Sequence, residues 1–141
     1  MKITTRIHIH ARPEEVWEVL METNKYPEWN PFVTSLSGEM AEGNRIKVKL
    51  PGMTFAPKIL TIRPFSEFRW KGKLLLNGLF DGEHSFELHP YNNDTTLFVH
   101  AETFSGLLVP LFKKQLRTTT KDGFEAMNNA LKERVESRFG R

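Results

Sequence analysis

The sequence predicts an α+β domain in which a curved antiparallel sheet packs against one long C-terminal helix. Most of residues 2–104 alternate between apolar and polar side chains in short runs separated by turn residues, as β-strands do. From about Leu107 to Phe139 the apolar residues instead recur with the period of an amphipathic helix. The apolar face of such a helix needs a surface to bury against, and the strands supply one. The 141 residues fit a single domain spanning 1–141.

Composition restricts the classes of function. The chain has no cysteine, which excludes disulfides, thiolate catalysis and cysteine-based metal sites. No stretch approaches the ~18 apolar residues of a membrane span, and residues 1–6 contain no apolar signal region, so we expect a cytoplasmic protein without stable membrane insertion. A net charge of +3 permits an anionic partner without indicating one. Eleven phenylalanines supply bulk for a large core or for the wall of an apolar pocket.

A strand and a short helix are predicted at the start of the chain. Residues 2–10 alternate between an isoleucine-rich face and a polar face that carries His8 and His10. These histidines are either metal ligands or exposed strand residues, and no third ligand lies nearby in the sequence. Pro13 suits the first turn of a helix, which ends near Thr23-Asn24.

An aromatic turn follows at Tyr26-Pro27-Glu28-Trp29-Asn30-Pro31-Phe32. Two prolines four residues apart exclude a long helix and a central strand, so the segment is a compact turn or one short helix. Its rings either pack a corner between helix and sheet or form a rim over a pocket. The sequence leaves both interpretations open.

Six further strands are predicted between residues 33 and 105. They lie near residues 33–40, 46–50, 60–62, 68–73, 80–88 and 96–104. Turn residues separate them, including Pro51-Gly52 and the cluster from Pro90 to Asp94. With the first strand they make a seven-stranded antiparallel meander.

A row of basic residues alternates with apolar ones along these strands, which places the row on the outer face of the sheet. Its members are Arg45, Lys47, Lys49, Arg69, Lys71 and Lys73. We predict a solvated face that discourages aggregation. Binding of nucleic acid or of an anionic membrane would require exposed aromatics among the cations, and the aromatics here face inward. We therefore expect no nucleic-acid partner.

The terminal helix carries an apolar stripe at helical spacing. The stripe comprises Phe112, Leu116, Phe124, Met127, Leu131 and Val135. Thr120 fills the position between Leu116 and Phe124, and the opposite face is charged. Asn128, beside Met127, either faces the interior or lies at the edge of the helix.

Five segments carry a resemblance to a known superfamily. They are Glu14–Leu20, Tyr26–Phe32, Gly82–Leu88, Glu102–Pro110 and Phe124–Lys132. Together they resemble the START-like SRPBCC superfamily, which includes polyketide cyclase/dehydrase-like proteins, lipid-transfer START domains and the Bet v 1 allergens, and they are most similar to its small bacterial members. The resemblance implies a helix-grip fold with two short helices after the first strand and an apolar tunnel between sheet and terminal helix. Members bind lipids, hormones, quinones or polyketides and only some catalyse, so it does not choose between binding and catalysis.

Strand parity selects two polar residues for the interior. His84 shares a strand face with Phe86 and is predicted to point inward. For Glu102 the pattern is ambiguous, because Phe98 and Phe104 on its own face favour burial of that face. The opposite face carries Leu97, Val99 and Ala101, which favour the reverse. The resemblance, with its Glu before a Phe-Ser-Gly run, favours an inward Glu102.

The first functional hypothesis is binding of a small hydrophobic ligand, such as a lipid, polyketide or aromatic metabolite, by a monomer or weak dimer without cofactor or metal. The predicted pocket wall comprises Trp29, Phe32, Val48, Leu60, Trp70, Phe86, Phe104, Phe124, Met127 and Leu131. We expect an internal cavity of several hundred cubic ångströms, opening between the Trp29 turn and the loop from Gly78 to Phe80.

The alternative is a cyclase or dehydratase that uses His84 and Glu102 as acid and base on a similar ligand. The same pair would otherwise be hydrogen-bonded within the core and do no chemistry. A weaker third hypothesis is an interaction protein that uses the basic sheet face.

Overall fold

The computed structural model describes residues 1–73 and 80–140 and confirms the α+β fold, with a curved antiparallel sheet and a long C-terminal helix. The strands are β1 (Lys2–Ile9), β2 (Ser35–Ser37), β3 (Lys47–Leu50), β4 (Met53–Phe55), β5 (Lys58–Arg63), β6 (Glu67–Lys73), β7 (Asp81–Asn92) and β8 (Thr95–Ser105). The helices are α1 (Pro13–Met21), a short 3-10 helix (Thr23–Glu28) and α2 (Val109–Phe139).

Eight strands form two sheets among the described residues, where the sequence predicted one sheet of seven. The larger sheet has the order β1-β8-β7-β6-β5, and β2-β3-β4 form the smaller one. The difference arises at Pro51-Gly52, which the sequence analysis treated as a break. Leu50 pairs with Met53, and Gly52 adopts φ 77°. Pro51 and Gly52 therefore form a tight hairpin turn between β3 and β4.

The aromatic turn combines the 3-10 helix with a hydrogen-bonded corner. The Tyr26 hydroxyl donates to the carbonyl oxygen of Leu20 at 2.6 Å. Asn30 Oδ1 accepts hydrogen bonds from the backbone N–H groups of Phe32 and Val33 at 3.0 and 2.9 Å. These bonds fix the backbone where the prolines leave few donors, and they hold the Phe32 ring against α2.

The two ends of α2 differ in burial. Phe124, Met127, Leu131 and Val135 are fully buried, as the apolar stripe predicted. Phe112, at the other end of the same stripe, is 42% exposed, which corrects the expectation of a continuous buried face. The stripe is regular along its whole length, so apolar periodicity alone does not decide which part of the helix is buried.

A β-bulge displaces one predicted inward residue. The pairing of β5 with β6 shifts between Ile59 and Thr61. Ile59 is fully buried, whereas Leu60 lies half-exposed in a basic depression with Lys58 and Lys71. The prediction that Leu60 faces the interior is therefore wrong, because a bulge reverses strand parity and cannot be recognised from alternation alone.

Candidate functional site

An apolar groove of about 360 Å³ lies between the first half of α2, the β3–β4 hairpin and the end of β8. Its walls are Pro31, Phe32, Leu50, Pro51, Met53, Phe55, Glu102, Phe104, Leu116, Thr119, Thr120 and Gly123. Of these walls, as far as residues 1–73 and 80–140 form them, Glu102 is the only ionisable residue. A second depression of about 330 Å³ adjoins the groove, sharing Met53 and Leu116 and adding Phe80 and Phe112.

The predicted pocket wall divides into three groups. Phe32 and Phe104 line the groove. Six others are buried in the core: Val48, Trp70, Phe86, Phe124, Met127 and Leu131. Trp29 lies at a separate surface depression beside Arg134, and Leu60 lies on the outer side of the bulge. Among the described residues, the apolar groove therefore lies at one end of the sheet–helix interface, and a separate, more polar depression lies between β1 and the middle of α2. Gly78, predicted at the cavity mouth, falls outside the described residues.

Several groove residues were missed by the sequence analysis. The hairpin residues Leu50, Met53 and Phe55 were missed together with β4. Thr119 and Thr120 were missed as well, although one signal was present. Thr120 is the single polar residue in the apolar stripe of α2, and it marks the part of the helix that faces a groove and not the core.

Glu102 lies on the same sheet face as His84, its direct partner across β7 and β8. The absence of a side chain at Gly82 makes room for its carboxyl group, since a Cβ there would lie 3.3 Å from Oε2. The Glu102 side chain is 13% exposed. Burial, reinforced by the nearby negative charge of Glu83, raises the pKa of Glu102 to about 8. At neutral pH the carboxyl group is therefore mainly protonated.

His84 connects Glu102 to the core. Its Nδ1 lies 3.4 Å from Glu102 Oε1, and its ring stacks on Trp70 at a centroid distance of 4.6 Å. Burial lowers the pKa of His84 to about 3, so the imidazole is neutral. His84 faces the interior, as strand parity indicated.

His100 is a second buried imidazole that the sequence analysis did not single out. Its Nε2 lies 2.7 Å from Nε2 of His84, and its Nδ1 lies 2.9 Å from Oδ1 of Asn128. Its ring stacks on Phe124 with centroids 3.8 Å apart. Burial and the neighbouring His84 lower the pKa of His100 well below its usual value. The signal was available, because His100 shares its strand face with Glu102.

The hydrogen bonds continue beyond His100, through Asn128, to Thr5 on the edge strand β1. Asn128 Nδ2 donates to Thr5 Oγ1 at 2.8 Å, and Thr5 Oγ1 donates to the carbonyl oxygen of His100 at 3.1 Å. We call Glu102, His84, His100, Asn128 and Thr5 the polar chain. It runs from the floor of the groove to the interface between β1 and α2.

The basic row is largely exposed, with one exception. Arg69 is half-buried and pairs with Glu67 and Glu83 at 2.8 and 3.1 Å.

Within residues 1–73 and 80–140, no cluster of three or more acidic or histidine side chains could hold a metal ion. No helix in these ranges is long and apolar enough to span a bilayer.

Comparison with known proteins supports the resemblance predicted from the sequence. A family model described as polyketide cyclase/dehydrase and lipid transport matches residues 1–136. No curated protein sequence matches the chain closely enough to count as a relative.

Solved structures share the fold at low sequence identity. The protein MLL2253 from Mesorhizobium loti has a TM-score of 0.78 at 16% identity, over 98% of both chains. The Zhui aromatase/cyclase from Streptomyces sp. R1128 also has a TM-score of 0.78 at 16% identity, over 99% of this chain and 95% of its own. The hypothetical protein jhp0584 from Helicobacter pylori reaches 0.79 at 12% identity, over 96% and 88%. At such identities the likeness establishes the fold alone.

Proposed function

Because the chain belongs to the polyketide cyclase/dehydrase and lipid transport family, we propose that it binds a small apolar molecule in the groove, with Glu102 as the polar contact. One observation carries the proposal: of the described residues that line the groove, a single one is ionisable and the others are apolar or neutral. A site with a few placed polar groups in an apolar lining is typical of small-molecule binding. The volume of about 360 Å³ lies within the usual range for such sites.

Burial of the core residues supports binding at the groove and not deeper. Trp70, Phe86 and Leu131 are essentially inaccessible, and close packing leaves no room for a ligand among them. Phe32 and Phe104, in contrast, line the groove. The ligand would therefore lie beneath the first half of α2.

The experiment blocks the groove with one added ring. Thr119 is exposed and lines the groove, whereas its neighbour Thr118 is exposed and does not. We expect Thr119→Trp to abolish binding of the neutral probe N-phenyl-1-naphthylamine, while Thr118→Trp binds it like the wild type. Equal binding by the two variants, measured by probe fluorescence at equal helicity, would place the site elsewhere.

A second candidate function is acid–base catalysis on the bound molecule. A pKa of about 8 leaves Glu102 able both to give and to take a proton near neutral pH, as a general acid or base must. His84, with its lowered pKa, would position Glu102 and would not itself titrate. Glu102→Gln separates the functions, because it keeps a neutral polar side chain and removes the transferable proton. We expect ligand binding to persist in this variant under either function and turnover to be lost if the protein is an enzyme.

A further inference from the structure

We propose that the exposed start of α2 is a docking surface for an anionic lipid membrane, which two leucines enter while neighbouring cations bind the lipid phosphates. The inference goes beyond the proposed function, because it concerns the outer side of the helix and not the groove. It follows from the exposure, the charge and the spacing of the residues between Gly106 and Lys121.

Large apolar side chains are exposed at the start of α2. Leu107 is 79% exposed, Leu111 is 76% exposed and Phe112 is 42% exposed. A single exposed leucine needs no explanation, but these side chains are close neighbours along the chain. A cluster of exposed apolar side chains usually marks a surface that another molecule covers.

The same segment is strongly basic. Its exposed cations are Lys113, Lys114, Arg117 and Lys121. The sequence contains no acidic residue from Thr103 to Lys121. Within residues 1–73 and 80–140, no carboxylate lies within ion-pair distance of the first three cations, and Lys121 lies 3.8 Å from Glu125. The excess of positive charge favours an anionic partner.

Leucines and cations share one side of the helix. The residues of this docking stripe follow one another at intervals of four, three, three and four positions, as neighbours on a helix surface do. They are Leu107, Leu111, Lys114, Arg117 and Lys121. Helical side chains lean towards the N-terminus, so the cations reach towards the leucines. The stripe is therefore apolar at the end of the helix and basic behind it.

An anionic membrane offers a partner to both parts of the docking stripe. Its hydrocarbon takes up apolar side chains, and its phosphates bind cations. The leucines enter first, and the long side chains of Lys114 and Arg117 keep their charges at the level of the headgroups. Phe112 adds an exposed aromatic ring beside Lys113, and aromatic rings favour the membrane–water interface. Phe112 also lines the depression that adjoins the groove, so docking brings this end of the molecule to the lipid.

A second copy of the chain fits the docking stripe less well. A symmetric dimer uses the same surface on both subunits, so the cations of one protomer would meet those of its partner. Such like-charge contacts disfavour association. The membrane is therefore the occupant that the charges favour.

The test measures binding to vesicles of phosphatidylcholine with and without phosphatidylglycerol, by co-sedimentation. We expect the wild type to bind the anionic vesicles and to bind the neutral ones at least roughly tenfold more weakly. Leu111→Gln keeps helix propensity and should weaken binding to anionic vesicles roughly tenfold or more, because one leucine no longer leaves water. The control is Tyr91→Gln, which also removes an exposed apolar side chain. Tyr91 lies near the start of β8, whereas Leu107 follows its end, so this control should bind like the wild type.

A second pair of variants tests the cations. Lys114→Gln combined with Arg117→Gln should weaken binding roughly 30-fold, since each cation near an anionic surface contributes roughly fivefold. Lys58→Gln combined with Lys71→Gln removes the same charge from the outer face of the sheet, where these exposed side chains are cross-strand neighbours. This control should weaken binding by less than about threefold, through net charge alone.

Insertion and groove binding are tested separately. Brominated acyl chains should quench the fluorescence that Leu111→Trp adds to that of the wild type, and unquenched emission from bound protein would exclude entry of this side chain. The groove-blocking variant Thr119→Trp should bind vesicles at least as tightly as the wild type. Loss of vesicle binding in that variant would mean that lipid is taken up by the groove and not by the docking stripe.

Three further results would overturn the inference and leave the proposed function standing. The first is that the wild type does not bind anionic vesicles. The second is an equal loss of binding in each variant and its control, which would show attraction by net charge alone. The third is a dimer in sedimentation velocity that Leu111→Gln dissociates, which would make a second copy the occupant of the stripe. Failure of the proposed function appears instead as loss of neutral probe binding.

Discussion

The two halves of α2 have different surroundings, although they form one continuous helix. In the second half, residues 124–139, the four stripe residues from Phe124 to Val135 are fully buried, and Arg134 and Arg138 pair with Glu28 and Glu18. In the first half, residues 109–122, Leu111 is 76% exposed, and the inner side faces the groove. The contrast teaches that helical periodicity reports which face is apolar, while the neighbouring strands decide whether that face forms a core or a binding site.

The largest expected effect compares one leucine from each half. Leu131→Ala removes a fully buried side chain and should lower the free energy of unfolding by about 2–5 kcal/mol. Leu116→Ala, at the half-buried groove wall, should lower it by less than about 1.5 kcal/mol, because little packing is lost. Urea denaturation measures both. Equal losses would mean that the first half belongs to the core.

The free energy of unfolding should depend on pH through Glu102, which lies at the groove end of α2. Because folding raises its pKa from 4.5 to about 8, the native state holds the proton more tightly, and this contribution is full below pH 4.5 and lost as pH rises through 8. The stability of the wild type relative to Glu102→Gln should therefore fall from pH 5 to pH 8, by at most about 1.4 kcal/mol per pH unit. The lowered pKa values of His84 and His100 affect the stability of both proteins alike, so their contributions largely cancel in the difference. A constant difference, measured by denaturation at several pH values, would show that Glu102 is ionised throughout.

Substitution of Asn128, which lies in the buried half of α2, should destabilise the protein through the polar chain. Asn128→Leu leaves the Nδ1 hydrogen of His100 without an acceptor, which should cost about 1–3 kcal/mol of unfolding free energy. The exposed neighbour Asn129 provides the control, and Asn129→Leu should change stability by about 0.5 kcal/mol or less. Thermal denaturation measures both variants. Equal melting temperatures would contradict the hydrogen-bond assignment.

The smallest effect concerns the outer surface of the second half. Arg134 lies 2.8 Å from Glu28, but both side chains remain substantially exposed. A double-mutant cycle with Arg134→Ala and Glu28→Ala should therefore give a coupling of about 0.2–1 kcal/mol. A larger coupling free energy would mean that this ion pair contributes part of the stability that we attribute to the buried residues.

Local periodicity predicted those features that depend on a single element. Strand parity was sufficient for His84, since residues two apart share a face whatever lies beyond the strand. It failed at Leu60, because the bulge in β5 depends on the partner strand. The resemblance supplied the order of elements, and the matching family model agrees with it.

The groove and the polar chain were harder to predict because they depend on contacts between distant elements. The hairpin of β3 and β4 forms one groove wall, yet Pro51-Gly52 has the composition of a simple break. His100 shares the strand face of Glu102, whose burial the alternation left open, and it was not singled out. Its partners, Asn128 and Thr5, come from a helix and an edge strand that the sequence does not relate to each other.

Gly123 separates the two halves of α2, and its missing side chain affects the motion of the helix. A Cβ at this position would lie 2.5 Å from the Phe32 ring, so the aromatic corner can pack there only against bare backbone. A glycine inside a helix costs about 1 kcal/mol relative to alanine, which weakens the helix where its tertiary support changes. In hydrogen-exchange terms, we expect backbone amides before Gly123 to exchange through local openings and those after it only through global unfolding. A ligand could then enter the groove on the timescale of local opening while the core remains closed.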